Sequence, residues 1–204
     1  MIEREAKKTI LEVSEAFKVL LVTGPRQVGK TTLLKSIMPE NMNYVTLDDE
    51  NLRTMAQEDP KLFLEEHKAP LLIDEVQYAP NLFSYIKIKV DNENKPGMYW
   101  LTGSQQFKLM KNVQESLAGR VGIVRLNSFT YSEINKKAET KEIFNPKKIV
   151  KSELIDVNTL YEYIFKGGMP ELYNNDKMKR EYFFNSYIET YLTRDVENAV
   201  SISN

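Results

Sequence analysis

Cysteine is absent from the sequence, and histidine occurs once, at His67, among 204 residues. A chain without cysteine forms no disulfide bond, performs no thiolate catalysis and offers no thiolate ligand for zinc. His67 stands among charged residues, Glu65, Glu66 and Lys68, and this setting predicts an exposed helix end. The composition therefore leaves little for a metal or catalytic site built on histidine or cysteine.

Long hydrophobic runs and an excess of charge of one sign are also missing. No apolar stretch approaches the roughly 18 residues that a membrane span requires, and residues 1–16 are too charged for a signal peptide. The formal net charge of −1 gives no reason to expect nucleic-acid binding. Basic residues are densest at 147–151 and 177–180, where we interpret them as solvated surface. We expect a cytoplasmic protein without a membrane partner.

A glycine-rich loop is the most specific feature that the chain does contain. The segment Gly24-Pro-Arg-Gln-Val-Gly-Lys-Thr31 matches the pattern G-x-x-x-x-G-K-[ST] in full. An apolar run at 18–23 predicts a buried parallel strand before it, and residues 31–38 predict a helix after it. Such a junction leaves backbone N–H groups free to converge on a phosphate chain. An ordinary glycine turn is the alternative, but a chance match arises on the order of once per hundred proteins.

The chemistry of the loop predicts two roles. Lys30 is expected to reach the β- and γ-phosphates of ATP, and the Thr31 hydroxyl is expected to hold Mg²⁺.

An apolar strand that ends in two acids is the second part of an ATPase site. Residues 69–75 read Ala-Pro-Leu-Leu-Ile-Asp-Glu. We expect Asp74 to bind Mg²⁺, directly or through water, and Glu75 to orient and deprotonate an attacking water. The alternative is that the two acids form the N-cap of the next helix.

Two later strands supply further candidates. Residues 98–102 predict a fourth strand, and Thr102 or Ser104 at its end is expected to sense the γ-phosphate or the attacking water; a helix cap is the alternative. Arg120 precedes a fifth strand at 121–126 and is a candidate arginine finger, because a guanidinium stabilises charge on a transferring phosphoryl group. A surface salt bridge is the alternative for Arg120.

The alternation of strands and helices predicts an α/β fold. Further strands are expected at 43–47 and 69–75, and the helix that begins near Pro80 repeats Leu82, Ile86 and Val90 every four residues. This order implies right-handed βαβ crossovers and a parallel sheet with helices on both faces; with the glycine-rich loop after its first strand, we expect a P-loop NTPase sheet. All the candidate residues are then expected at the carboxyl ends of the strands.

The chain is expected to divide into three parts. We assign residues 1–128 to the P-loop ATPase core, 129–150 to a lysine-rich connector and 151–204 to a small helical, lid-like segment. Helices are predicted at 159–166 and 177–200, and the aromatic stripe of the second helix, Phe184, Tyr187, Ile188 and Tyr191, is interpreted as core.

Seven segments together resemble a prokaryotic family of AAA-type P-loop ATPases that usually carries a carboxy-terminal domain of unknown function. The segments are GPRQVGKTTLL, LDDENLRTMAQEDPKLFL, LLIDEVQYAPNLFSYIK, YWLTGSQQFKLM, ESLAGRVGI, FKGGMPELY and YFFNSYIETYLTRDV, and they cover nearly all of the chain. The resemblance implies an AAA-like, ASCE-type core. It also implies that Arg26 holds phosphates, with loop packing as the alternative role, and that Arg120 is a site residue.

The residues expected at the site fall into three groups. The metal ligands are Thr31 and Asp74. The catalytic group consists of Glu75, Lys30, Arg120, Ser104 and Thr102. The nucleotide-binding residues are Gly24, Pro25, Arg26, Gln27, Val28, Gly29, Lys30, Thr31 and Thr32.

The sequence predicts an Mg²⁺-dependent ATPase whose turnover changes the conformation of the carboxy-terminal region. A nucleotide-gated module that binds DNA or a protein partner with negligible hydrolysis is one alternative. A small-molecule kinase is another, although no arginine-rich lid is present. Members of the family are roughly twice as long, so we expect the chain to stop as the carboxy-terminal domain begins. A DNA or protein partner would bind through that missing region, and assembly into a homo-oligomer is a further expectation.

Overall fold

The computed structural model describes residues 2–104, 106–135 and 155–192. Contacts divide the chain into two compact units: residues 6–127, and the residues before Ala6 together with those after Asn127. No helix among the described residues is long and apolar enough to cross a membrane.

The unit 6–127 is built around a five-stranded parallel sheet in the order β2-β3-β4-β1-β5. Its strands are β1 (Val19–Thr23), β2 (Asn43–Thr46), β3 (Leu71–Asp74), β4 (Tyr99–Gly103) and β5 (Val121–Arg125). Every residue of β1, β3 and β4 is buried, as the near-continuous apolar runs of a doubly covered parallel sheet require. The predicted P-loop NTPase sheet is confirmed.

Six helices of this unit lie within the described residues: α1 (Ala6–Ala16), α2 (Lys30–Ile37), α3 (Glu50–Glu58), α4 (Pro60–Glu66), α5 (Leu82–Glu93) and α6 (Gln106–Leu117). The starts of α3 and α4 are fixed by Asp49 and Asp59, whose carboxylates accept hydrogen bonds from backbone amides of the first turn. Helix α5 buries Leu82, Ile86 and Val90, the residues of the predicted four-residue repeat.

Side chains alternate between the two sheet faces. On one face α1 packs closely: the Trp100 indole donates to the Ser14 hydroxyl at 2.8 Å, and a Cβ on Gly122 would stand 2.3 Å from Val13. The other face carries the main core, in which Leu21 and Ile73 belong to the same buried cluster as residues of α3 to α6. The sheet therefore has helices packed on both of its faces.

The second unit is helical where it is described. It contains α7 (Tyr131–Ile134), α8 (Val157–Lys166), α9 (Glu171–Asn174) and α10 (Arg180–Tyr187), and α10 continues as a π-helical segment, Ile188–Leu192. The buried residue of α10 is Phe183, whereas the aromatic stripe predicted as core is half-buried or, at Ile188, 48% exposed.

Three predictions lie partly or wholly outside the described residues. They are the connector beyond residue 135, the basic group at 147–151 and the end of the last helix beyond residue 192. The boundaries predicted between core, connector and helical segment stay predictions.

Candidate functional site

The glycine-rich loop joins the carboxyl end of β1 to α2, which begins at Lys30. A Cβ on Gly24 would stand 2.0 Å from the carbonyl oxygen of Leu126, so the loop can pass the chain that leaves β5 only because residue 24 is glycine. Gly29 occupies the N-cap of α2 with φ 87°, and because it has no side chain it cannot accept hydrogen bonds from the first amides of the helix. The first amides of α2 are therefore left for another acceptor.

Lys30 lies within the loop rather than in solvent. Its side chain is buried, and its Nζ donates to the carbonyl oxygens of Gly24 at 3.1 Å and Pro25 at 2.8 Å. Burial lowers the pKa of Lys30, while the charges of Glu75 and Asp74 act in the opposite direction. The direct hydrogen-bond partners of the ammonium group are thus neutral carbonyl groups rather than a carboxylate.

The remaining loop residues divide between core and surface. Val28 is fully buried, and Pro25, Gln27 and Thr32 are exposed. Arg26 is half-buried and lies near enough to Lys30 for its charge to lower the Lys30 pKa further. The loop therefore holds two cations close together, an arrangement that an anion would stabilise.

Asp74 at the end of β3 receives hydrogen bonds from three hydroxyl groups. Thr31 and Thr102 donate to its Oδ1 at 2.8 and 2.5 Å, and Tyr44 donates to its Oδ2 at 3.4 Å. The carboxylate is buried and needs these donors because an unpaired buried charge is costly. Thr31, Asp74 and Thr102, predicted separately, meet at one carboxylate.

Glu75 is the next residue and begins a short 3₁₀ turn, Val76–Tyr78. It occupies the N-cap position of this turn with the left-handed values φ 55° and ψ 44°, but its side chain forms no capping hydrogen bond. Its amide donates to the Thr102 hydroxyl at 3.5 Å, and the Ser104 hydroxyl donates to its Oε2 at 3.4 Å. Glu75 and Ser104, both predicted site residues, are in contact.

Arg120 does not join these residues within one chain. It precedes β5, and its carbonyl oxygen accepts from the amide of Val19 at the amino end of β1. Its guanidinium binds both carboxylate oxygens of Asp91, at 2.6 and 2.8 Å. This hydrogen-bonded pair raises the pKa of Arg120 and lowers that of Asp91. The expectation that Arg120 lies at the carboxyl edge of the sheet is wrong, because the residue stands before its strand and not after it.

Two residues in contact with the acids were not predicted from the sequence. Tyr44 reaches Asp74 from β2, and the Gln77 amide donates to the Glu75 carboxylate. Tyr44 lies in the strand predicted at 43–47, but only the strand order of the sheet places that strand beside the acidic strand. Gln77 gave no signal, because the 3₁₀ turn that brings it back to Glu75 has no sequence periodicity.

Comparisons with known proteins are consistent with this geometry. A family model for an AAA domain matches residues 16–135, and a model for a domain of unknown function matches residues 157–204. Uncharacterized proteins of Mycobacterium tuberculosis and Mycobacterium bovis are each 34% identical over 136 residues, which is 66% of this chain and 31% of either relative. The chain thus spans about a third of the length of the curated relatives it matches.

Two solved structures share the fold at low sequence identity. The Walker-type ATPase PABY2304 of Pyrococcus abyssi has a TM-score of 0.53 at 18% identity, covering 99% of this chain and 73% of that one. AMPPCP-bound DnaA from Aquifex aeolicus has a TM-score of 0.52 at 18% identity, covering 94% and 64%.

Proposed function

Because this chain belongs to the AAA domain family, we propose that it binds ATP with Mg²⁺ and hydrolyses ATP to ADP and phosphate. The observation that carries the proposal is the contact between Thr31 of the loop and Asp74 of β3. It joins a hydroxyl at a phosphate-binding helix terminus to a buried carboxylate. These are the two kinds of oxygen ligand that P-loop proteins offer to nucleotide-bound Mg²⁺.

ATP would be bound by residues 24–32. The uncapped amides at the start of α2 are available to phosphate oxygens, and the helix dipole favours their negative charge. Lys30 would exchange the carbonyl oxygens of Gly24 and Pro25 for phosphate oxygens. The exchange is favourable because a buried ammonium group gains a charged partner in place of neutral dipoles. Arg26, from the same loop, would add a second positive charge.

The oxygen ligands on the chain fit Mg²⁺. No group of three or more acidic, histidine or cysteine side chains in the described part of the chain could hold a metal alone. Mg²⁺ commonly takes one or two protein oxygens and completes its shell with water and substrate phosphates. Thr31 and Asp74 would hold the ion, and the hydroxyls of Thr102 and Tyr44 would keep the Asp74 carboxylate in place. The bound ion would offset negative charge on the transferring phosphoryl group.

Glu75 would act as the general base. Its carboxylate would take a proton from the attacking water while the water oxygen bonds to the terminal phosphorus. The bond between that phosphorus and the bridging oxygen breaks, and ADP leaves. Thr102 and Ser104, at the end of β4, would sense the terminal phosphate through their contacts with Asp74 and Glu75.

Hydrolysis would change the conformation of the carboxy-terminal region, 151–204, because loss of the γ-phosphate releases contacts that order neighbouring elements. A separate family model matches residues 157–204, which supports a distinct role for that region. In this proposal the protein works in the cytoplasm, assembles as a homo-oligomer and acts on DNA or a protein partner. Hydrogen exchange of α8 and α10 with ATP, with ADP and without nucleotide tests the coupling; equal exchange in the three states would contradict it.

ATP turnover with Mg²⁺ tests hydrolysis directly. The wild type is expected to release phosphate. Glu75→Gln is expected to bind ATP with the wild-type Kd but to release phosphate only at a low residual rate, and Lys30→Ala is expected to lose affinity. If the protein binds ATP tightly but shows no turnover above that of Glu75→Gln, it is a nucleotide-gated binding module instead. Unchanged ATP affinity in Lys30→Ala would overturn the assignment of the nucleotide site.

A further inference from the structure

The Glu75 carboxylate uses one of its two oxygens for both of its side-chain contacts. Its Oε2 accepts from the Gln77 amide and from the Ser104 hydroxyl. Among the hydrogen bonds of the described residues, none involves Oε1. One oxygen is therefore anchored by two donors while the other has capacity to accept a proton.

The orientation of the Gln77 amide is set by this contact. The side chain is 9% exposed, its Nε2 donates to Glu75, and its Oε1 is buried without a hydrogen-bond partner in the described part of the chain. A carboxylate only accepts hydrogen bonds, so Gln77 must present its NH₂ group to Glu75. The carbonyl oxygen is left unpaired, which is unfavourable for a buried group. The Gln77 amide thus keeps its hydrogen bond to Glu75 although its own carbonyl oxygen has no partner in the described part of the chain.

Gly103 provides the space that the Gln77 side chain occupies. A Cβ on Gly103 would stand 2.6 Å from Gln77 Oε1 and 2.6 Å from the Leu109 side chain. Gly103 is paired with Thr23, the residue before the loop, and is followed by Ser104. The buried Gln77 amide therefore lies between Gly103, at the end of β4, and the Glu75 carboxylate.

We propose that Gln77 is a positioning residue that holds the Glu75 carboxylate in the orientation needed to accept a proton from the attacking water. It acts together with Ser104 on Oε2 and leaves Oε1 for the water. Because a carboxylate with a single anchor rotates away from one fixed geometry, loss of the amide lowers the rate of proton transfer without removing the base. The role rests on the proposed ATP hydrolysis.

A double-mutant cycle separates positioning from a purely structural role. Gln77→Leu retains similar bulk and removes the amide. It is expected to lower kcat by about 10-fold to 100-fold, the usual range for residues that orient a functional ligand, with the Kd for ATP unchanged. In the Glu75→Gln background the same substitution is expected to change residual turnover by less than about twofold, because the base through which it acts is already gone.

Gln57→Leu is the matched control. Gln57 also donates its amide to a neighbouring oxygen, the Tyr78 carbonyl at 2.6 Å, but its side chain is exposed and does not contact Glu75. It is expected to retain wild-type kcat.

A second variant exchanges the two residues, Glu75→Gln with Gln77→Glu, and keeps the proposal testable if Gln77→Leu does not fold. It keeps an amide and a carboxylate in contact, so its thermal midpoint is expected to stay near that of the wild type while turnover stays at the level of Glu75→Gln. Wild-type kcat in Gln77→Leu, an equal loss in both backgrounds or restored turnover in the exchange variant would each overturn the positioning role. Absence of wild-type turnover above Glu75→Gln would instead overturn the proposed hydrolysis, and the positioning role with it.

Discussion

Thr31 donates a hydrogen bond to Asp74 at 2.8 Å across 43 positions of sequence. The bond connects the start of α2 to the end of β3, although β4 lies between β3 and β1 in the sheet. Thr102, at the end of the intervening strand, donates to the same Asp74 oxygen. Three elements thus meet at one carboxylate oxygen, and their contributions can be tested one at a time.

Thr31→Ala is expected to remove most of the effect of Mg²⁺ on ATP affinity. The substitution deletes one of two proposed protein ligands and leaves the phosphate-binding amides in place. We expect the affinity for ATP in excess Mg²⁺ to fall by about 10-fold to 100-fold, toward the value measured in EDTA. Titration of ATP in both conditions checks this.

Ser36→Ala is the control for that prediction, since Ser36 lies in the same helix and its hydroxyl bonds only to the Leu33 carbonyl at 2.7 Å among the described contacts. Ser36→Ala should show the wild-type difference in ATP affinity between Mg²⁺ and EDTA. If Thr31→Ala shows that same difference, Thr31 is not a metal ligand.

Lys30 is expected to make the stability of the nucleotide-free protein increase with pH. Burial lowers its pKa below 10.5 in the folded state. Between the folded pKa and 10.5 the unfolded chain binds more protons, so the free energy of unfolding rises with pH, by at most about 1.4 kcal/mol per pH unit. Urea unfolding of the wild type and Lys30→Met measures the effect, and the variant should lack the rise.

Tyr99 limits the pH range of that experiment. Burial raises its pKa from 10.0 to about 12, so the unfolded chain loses this proton first and stability falls as pH rises above 10.0. The two proteins should therefore be compared below pH 10.0. Parallel curves for wild type and Lys30→Met in that range would contradict the lowered pKa of Lys30.

Arg120→Ala is expected to leave the turnover of an isolated chain unchanged, because the guanidinium pairs with Asp91 near the amino end of β5. A second copy is the remaining way for Arg120 to reach a nucleotide. In that case turnover per chain would rise with protein concentration in the wild type and stay flat in Arg120→Ala. Loss of turnover in Arg120→Ala at all concentrations, including the lowest, would show that it acts in its own chain.

Glu133→Ala is expected to destabilise the second unit by about 3 kcal/mol. Its buried carboxylate accepts from Arg4 at 3.0 Å and from the amides of Glu5 and Thr130 at 2.8 and 2.9 Å. The substitution removes an anion from a buried guanidinium and breaks the capping box of α7. Hydrogen exchange of the amides in α7 measures the change.

Glu12→Ala provides the comparison for Glu133→Ala. It breaks an ion pair with Lys8 at 3.7 Å in which both side chains are largely exposed. Such pairs contribute less than about 1 kcal/mol. If the two substitutions lower the stability of their own units by equal amounts, burial of the Arg4–Glu133 pair adds nothing to the stability of the second unit.

Much of the fold follows from local patterns. The strand predicted at 18–23 is β1, which begins one residue later, and the strand predicted at 98–102 is β4, which begins and ends one residue later. Apolar runs of this length and the four-residue repeat of α5 are properties of consecutive residues. Helix α1 was not predicted, because its sequence is highly charged and only Ile10 and Ser14 are buried.

The sequence by itself determined the kinds of residue at the site and the elements that carry them. The loop at Gly24 and the acids at the end of β3 could be recognised because each group is contiguous in the chain. The tertiary structure alone decided which side chains meet. Tyr44 and Gln77 reach the acids through strand order and a 3₁₀ turn, and Arg120 is excluded by the direction of β5. Periodicity in the sequence indicates which side of each helix or strand is buried. Contact between distant side chains depends instead on how the elements are ordered and aligned in the sheet.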